Sequence, residues 1–186
     1  GESEGISAVY MLKRFLESLN AEIKKRMLIL SELGVDNCDA YIRAARIIKR
    51  IKEIEGDSSK AEEKEVLINK IKNNKMQMEA LKGDISKIKP LSHLVLVVDE
   101  FTELKRFSSE SDDVDFIAEI TTIARVGRTL GLHIILISQN IEGAITDDIR
   151  VNSKSKICLK VATKQASKEM LGTPDAAAAT MPGNGR

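Results

Sequence analysis

The chain has 186 residues, of which 42% are hydrophobic, and this length and composition allow one sizeable hydrophobic core. It carries 29 lysines and arginines against 28 aspartates and glutamates, so its formal net charge of +1 gives no general attraction to nucleic acids or other polyanions. Aromatic residues make up only 3% of the chain, which leaves few side chains on which the bases of a single strand could stack.

Residues 1–39 are predicted to contain one long helix. From Ile6 to Leu33 the apolar residues recur every three or four positions, which is typical of a helix with one apolar face. Gly34 follows this pattern, and glycine commonly stands just after the end of a helix. We therefore treat residues 1–39 as the N-terminal helical segment.

Residues 40–89 are predicted to form an inserted helical hairpin that protrudes from the core. A second helix begins near Asp39, and a third stretch, 61–88, places apolar residues at alternating steps of four and three with Asn74 on the same seam. This heptad spacing predicts a short antiparallel coiled coil in which Asn74 fixes the register. The segment holds 13 lysines and arginines against 8 aspartates and glutamates. A solvated face is one interpretation, and a docking arm for a substrate helix, a neighbouring subunit or an accessory protein is the other.

Residues 90–186 have the pattern of an α/β core. The run 93–98 is continuously apolar and rich in β-branched residues, which is typical of a parallel strand covered on both faces. A helix is predicted over 114–130 and a second buried strand over 132–137. A third strand is predicted over 156–161, nearer the sheet edge because lysines alternate there with apolar residues. The first two strands and the helix between them make a βαβ unit.

Polar side chains follow the first two strands where each strand ends. Asp99 and Glu100 come directly after the first strand, and Ser138, Gln139 and Asn140 follow the second. Asp99 can hold a hydrated Mg²⁺, and Glu100 can orient or deprotonate the water that attacks a γ-phosphate. The side-chain amide of Gln139 can sense that phosphate or the water. The alternatives are a polar turn and a strand-terminal cap.

Three further residues of the core are of interest. Arg125 and Arg128 lie three apart on the predicted helix, so they share a face that can meet phosphate or the acids of a neighbouring subunit. A solvated helix face is the alternative. His133 stands where the second strand begins, and we interpret it as a packed structural residue rather than a base.

Five segments carry a resemblance to a known family. Residues 94–104, 124–133 and 138–139 resemble successive motifs of FtsK/SpoIIIE ATPases. Residues 152–161 and 171–177 are more similar to the type VII (ESX) secretion branch of that family, the EssC/EccC proteins, than to DNA translocases. The helical insertion lies outside the resemblance.

The resemblance implies an α/β fold, namely part of a P-loop NTPase (RecA-like) parallel sheet flanked by helices. It further implies a membrane-anchored, multi-module motor that binds ATP and Mg²⁺, acts as a hexamer at the cytoplasmic face of the bacterial cell membrane, and exports small helical proteins. Its partners would be other modules of the same motor and neighbouring subunits, with membrane contact through parts outside this chain and no nucleic acid. Arg14 lies where the branch places an arginine finger, which can raise a rate about 10³- to 10⁵-fold; an exposed helical arginine is the alternative.

Two departures from the family pattern leave the activity open. Asn140 replaces the arginine that usually follows the glutamine in DNA translocases. The sequence also contains no G-x-x-x-x-G-K-[ST] loop, and without its backbone amides and lysine a triphosphate has no cradle. We therefore expect a fragment lacking this region, the C-terminal part of a motor module, which does not hydrolyse ATP alone. A DNA translocase and a degenerate interaction module remain as alternatives.

Overall fold

The structure is a computed structural model, and it describes residues 7–139 and 145–178. These residues form two compact units. The helical unit contains 14–95 and 126–133, and the site unit contains the described residues of 1–13, 96–125 and 134–186. The helices are α1 (Ala8–Glu32), α2 (Cys38–Glu53), α3 (Ala61–Ile71), α4 (Lys75–Lys82), α5 (Glu103–Ser109), α6 (Phe116–Gly127), α7 (Asp147–Asn152) and α8 (Lys164–Leu171), and the strands are β1 (Leu94–Val98) and β2 (Leu132–Leu136). None of the helices in these described ranges is long and apolar enough to cross a membrane.

The core of the helical unit forms around α2. The helix begins at Cys38 because the side chain of Asn37 accepts a hydrogen bond from the backbone N–H of Ala40 (2.9 Å), which satisfies one of the free donors of the first turn. Its buried side chains fall three or four positions apart, on one face. They are Cys38, Tyr41, Ala44, Ile48 and Ile51, none more than 4% exposed.

The predicted single helix over 61–88 is wrong, because the chain breaks between α3 and α4. Asn74 caps α4: its Oδ1 accepts from the N–H of Gln77 (3.1 Å), and its Nδ2 donates to the carbonyl of Gly34 (3.0 Å). An asparagine side chain that bonds to nearby backbone favours a cap over a helix interior. Asn74 therefore starts a new helix, and the heptad interpretation does not hold. The boundaries at residues 39 and 89 stay predictions.

The two strands pair in a small parallel sheet, which confirms the α/β fold class. The sheet is less covered than the sequence predicted. Val95 is 60% exposed, Val97 54% and Ile135 49%, so one face of each strand has no covering layer among the described residues. An apolar run reveals where a side chain can be buried, whereas actual burial depends on which other elements are present.

The third predicted strand, 156–161, is not a strand in this structure. Ile157 is 85% exposed and Leu159 63% exposed. The N–H of Val161 donates to the carbonyl of Ala176 (3.0 Å), a residue of a short helical turn and not of a strand. Alternating lysines and apolar residues suit an extended segment, but pairing needs a neighbouring strand edge.

The helix α6 ends at Gly127, three residues before the predicted end. A Cβ at this position would lie 2.7 Å from the Cβ of Leu132, so only glycine lets the chain turn so closely against the start of β2. Gly131 has φ +77°, and a Cβ there would lie 2.6 Å from Sγ of Cys38. Arg128 falls in the turn between these glycines, so Arg125 and Arg128 do not share a helix face as predicted.

A buried arginine connects several segments of the helical unit. Arg26 of α1 is only 2% exposed. Its Nη1 donates to the carbonyls of Ser92 (2.9 Å) and Leu130 (2.8 Å), and its Nε donates to Glu22 (2.9 Å). Burial raises the pKa of Glu22, but hydrogen bonds from Arg26 and Lys25 lower it further, so the pKa lies below the ordinary 4.5.

His133 is exposed rather than packed inside the helical unit. It stacks on His93 with ring centroids 5.0 Å apart, and its Nε2 lies 2.8 Å from Nδ1 of His93. The other ring nitrogen of His93 lies 3.1 Å from a carboxylate oxygen of Asp39. The pair thus has a structural explanation in its own hydrogen bonds.

Candidate active site

The turn that follows β1 is joined to the end of β2 by backbone hydrogen bonds within the site unit. The N–H of Ile137 donates to the carbonyl of Val98, and the N–H of Phe101 donates back to the carbonyl of Ile137, both at 2.9 Å. Phe101 is 5% exposed and anchors the turn. Between these bonds lie Asp99 and Glu100, so the acidic pair stands where both strands end.

Glu100 holds an unusual backbone conformation. Its φ of +50° makes it the one non-glycine residue with a positive φ in the described part of the chain. This region of backbone space is disfavoured for residues with a Cβ, and such residues cluster at functional sites. The conformation is held by the surrounding hydrogen bonds rather than by local preference.

Three donors converge on the carboxylate of Glu100. Oε1 accepts from the hydroxyl of Thr102 (2.6 Å) and from the hydroxyl of Ser138, and Oε2 accepts from the backbone N–H of Gln139 (3.2 Å). These hydrogen bonds, that from Ser138 first, then those from Thr102 and Gln139, hold the pKa of Glu100 below its ordinary value. Glu100 is therefore ionised at neutral pH and can act as an acceptor only.

Asp99, the residue before Glu100, is exposed. Within residues 7–139 and 145–178, no three histidine, cysteine, aspartate or glutamate side chains are grouped closely enough to bind a metal by themselves. Mg²⁺ does not need such a cage, since it commonly keeps several waters and binds one or two carboxylates together with substrate phosphates. An exposed aspartate next to an ionised glutamate fits that kind of Mg²⁺ site.

The structure brings together two of the residues singled out in the sequence, Glu100 and Gln139, and Asp99 directly precedes Glu100 in the chain. Gln139 takes part through its backbone, while its side chain is exposed. The sequence-based reasoning missed Thr102 and Ser138, whose hydroxyls make the shortest contacts to Glu100. Their signal was position: Thr102 lies two residues after Glu100, and Ser138 directly precedes Gln139.

The three predicted arginines, Arg14, Arg125 and Arg128, are exposed residues. Arg125 is exposed in the last turn of α6. Arg14, on α1, and Arg128 are exposed residues of the helical unit. Asn140 lies outside the described residues. The roles of Arg14, Arg125 and Arg128 stay predictions.

Another ordered part of the site unit is the loop after α8, in the segment that resembles the secretion branch. Thr163 caps α8, and Gly172 ends it with φ +80°. The fully buried Ser167 donates to the carbonyl of Thr173 (2.6 Å) and accepts from the N–H of Ala176 (3.0 Å). The segment therefore holds its shape through backbone bonds to one hydroxyl.

Comparison with protein families identifies the chain, since residues 1–142 match the model of the FtsK/SpoIIIE family. The chain belongs to the FtsK/SpoIIIE family. It is 34% identical over 170 residues to the ESX secretion system protein EccC of Geobacillus thermodenitrificans, covering 91% of this chain and 9% of that protein. It is 48% identical over 94 residues to the type VII secretion system protein EssC of Staphylococcus aureus, covering 50% of this chain and 6% of that protein. This FtsK/SpoIIIE chain thus spans less than a tenth of the length of these relatives.

A solved structure shows the same fold as this FtsK/SpoIIIE chain. It is the pCW3 conjugation coupling protein TcpA, a monomer form with ATPγS, and the match has a TM-score of 0.54 at 22% identity. The match covers 92% of this chain and 38% of that one. The predicted fold class, part of a RecA-like P-loop NTPase, is confirmed.

Proposed function

We propose that this chain is the C-terminal part of an ATP-driven motor module of a type VII protein secretion system. The observation that carries the proposal is the carboxylate of Glu100, which accepts hydrogen bonds from its own turn after β1 and from the end of β2. Membership of the FtsK/SpoIIIE family and the similarity to EccC and EssC support the secretion assignment.

The site residues divide the chemistry of ATP hydrolysis among them. Glu100 orients the attacking water and takes its proton as the water oxygen bonds to the γ-phosphorus, while the bond from phosphorus to the bridging oxygen breaks and its electron pair leaves with ADP. Asp99 would hold Mg²⁺, directly or through water, and the bound ion would supply positive charge to the phosphates. In this proposal the side-chain amide of Gln139 contacts the γ-phosphate or the water. The phosphate cradle must come from residues outside these 186.

The proposal also covers how the motor is assembled. The motor acts as a hexamer anchored at the cytoplasmic face of the membrane through parts outside this chain, and it exports small helical proteins. Arg14 reaches the γ-phosphate of the neighbouring subunit, and Arg125 and Arg128 contact phosphate or that subunit's acids. An arginine placed in this way stabilises the negative charge of the transition state.

The decisive experiment is ATP hydrolysis by the full-length protein that the gene encodes. We expect Glu100→Gln to abolish turnover and to leave ATP binding intact, because the amide cannot take the proton. Glu103→Gln is the matched control, since Glu103 is exposed on α5 and pairs only with Arg106 among the described residues. Full activity in Glu100→Gln would remove Glu100 from the role of base.

The finger and the cargo have separate tests. Mixing Arg14→Ala subunits with Glu100→Gln subunits should restore part of the activity if Arg14 acts on the neighbouring site, and the absence of rescue would count against it. Glu100→Gln in cells should stop the export of small helical proteins into the medium. A salt-dependent affinity for DNA would instead support the DNA-translocase alternative.

A further inference from the structure

We propose that Ser138 and Thr102 are positioning residues that anchor Oε1 of Glu100, so that Oε2 is the oxygen that takes the proton from the attacking water. This inference rests on the proposed function, because it specifies how the base of that reaction is aimed. It assigns a role to two hydroxyl side chains that lie beside the acidic pair but are not part of it.

The two oxygens of the carboxylate are occupied differently. Oε1 accepts from two hydroxyls, those of Thr102 and Ser138, which are themselves 3.4 Å apart. Among the described residues Oε2 accepts only the N–H of Gln139, at the longer distance of 3.2 Å. A carboxylate oxygen has two lone-pair directions. Oε1 is therefore filled, and Oε2 keeps one direction for a water.

The anchors come from two places in the chain, and this fixes the carboxylate in space. Thr102 lies two residues after Glu100, on the same turn, whereas Ser138 follows β2 and is tied to the turn through the Ile137 hydrogen bonds. The turn alone supplies only the hydroxyl of Thr102, and the end of β2 supplies only that of Ser138, so both are needed to fix the carboxylate. The half-buried positions of both hydroxyls protect these bonds from competing water.

Hydrogen bonds at Oε1 also act on the chemistry of Oε2. Charge drawn toward Oε1 makes the carboxylate a weaker base overall, so the anchors contribute through aim and not through basicity. Misplacing a catalytic group by about 1 Å can cost about 10²-fold in rate. Orientation is thus a large enough effect to explain two dedicated donors.

The test uses steady-state ATP hydrolysis by the full-length protein. We expect Ser138→Ala and Thr102→Ala each to lower kcat about 3- to 10-fold, because one anchor remains, and the double variant to lower it about 100-fold. KM for ATP should stay within about twofold, since the anchors act on the base and not on bound nucleotide. Ser138→Thr retains a hydroxyl and should restore most of kcat.

A second measurement tests the two anchoring hydroxyls without ATP hydrolysis. In ¹⁵N-labelled chain, Ser138→Ala together with Thr102→Ala should speed hydrogen exchange of the Gln139 amide several-fold, because a loosened carboxylate accepts that N–H less of the time. Ser109→Ala is the control for both assays, because among the described residues this exposed hydroxyl donates only to the carbonyl of Lys105 in its own helix.

The outcomes separate this assignment from the proposed function. A wild-type full-length protein that hydrolyses no ATP overturns both. If the wild-type protein is active, the assignment alone is overturned when the double variant keeps its kcat or gains activity. It is also overturned when Ser138→Thr loses as much kcat as Ser138→Ala.

Discussion

Replacing the buried Arg26 by alanine should destabilise the helical unit far more than replacing its exposed neighbour Lys25, although both side chains bond to Glu22. The guanidinium donates to the carbonyls of Ser92 and Leu130 and to the Glu22 carboxylate. In Arg26→Ala the two carbonyls lose their donor, and leaving a buried polar group unpaired costs about 1 to 3 kcal/mol. Adding the lost ion pair and packing, we expect about 3 to 5 kcal/mol in the free energy of unfolding.

Lys25→Ala is the matched control. Its side chain is 60% exposed, and its contact to Glu22 spans 3.1 Å across one helical turn. Exposed pairs of this kind contribute at most about 1 kcal/mol. Arg26→Lys should fall between the two, since an ammonium keeps the charge but not the planar fork that reaches three acceptors.

Urea unfolding of the chain, followed by far-ultraviolet circular dichroism, measures these differences. The midpoint should shift while the dependence on urea concentration stays constant, because the variants change stability and not the surface exposed on unfolding. If Arg26→Ala costs no more than Lys25→Ala, the bonds from Arg26 to the two carbonyls do not stabilise the unit and the reasoning fails.

The same unfolding assay serves three further predictions. Asn74→Ala should lower the free energy of unfolding by about 1 to 2 kcal/mol, because α4 loses its N-cap. The control is Asn73→Ala, at the residue before the cap, and an equal loss in that variant would argue against the cap. Gly131→Ala should lower the free energy of unfolding by at least about 2 kcal/mol, because alanine would have to adopt a positive φ and its Cβ would collide with Cys38. Adding Cys38→Ala should not restore the stability, since the positive φ remains. The lowered pKa of Glu22 stabilises the fold at neutral pH, so the free energy of unfolding should fall as pH drops below 4.5, and it should fall less in Arg26→Ala; equal slopes would contradict this.

The sequence predicted the location of the site better than its internal contacts. An apolar run followed by Asp99 and Glu100 marks the end of a buried strand, and Gln139 marks the next, so parallel pairing alone brings them together. The roles of Ser138 and Thr102 depend on side-chain rotamers and on the positive φ of Glu100. These are tertiary properties that no residue pattern contains.

The failures in the helical region have a different cause. Heptad spacing over 61–88 is compatible with one helix or with two short helices whose apolar faces meet the same core. Asn74 decides between them through its bond to Gly34, a residue 40 positions away. For the segment 156–161, the alternating pattern favours an extended chain, but a strand also requires an available partner.

The backbone at Glu100 has a consequence for laboratory evolution of this protein. Glycine and asparagine adopt a positive φ more readily than glutamate does. A screen that selects for thermal stability alone should therefore accumulate Glu100→Gly or Glu100→Asn, and these variants would lack the general base. Selection for robustness and selection for turnover pull this single position in opposite directions.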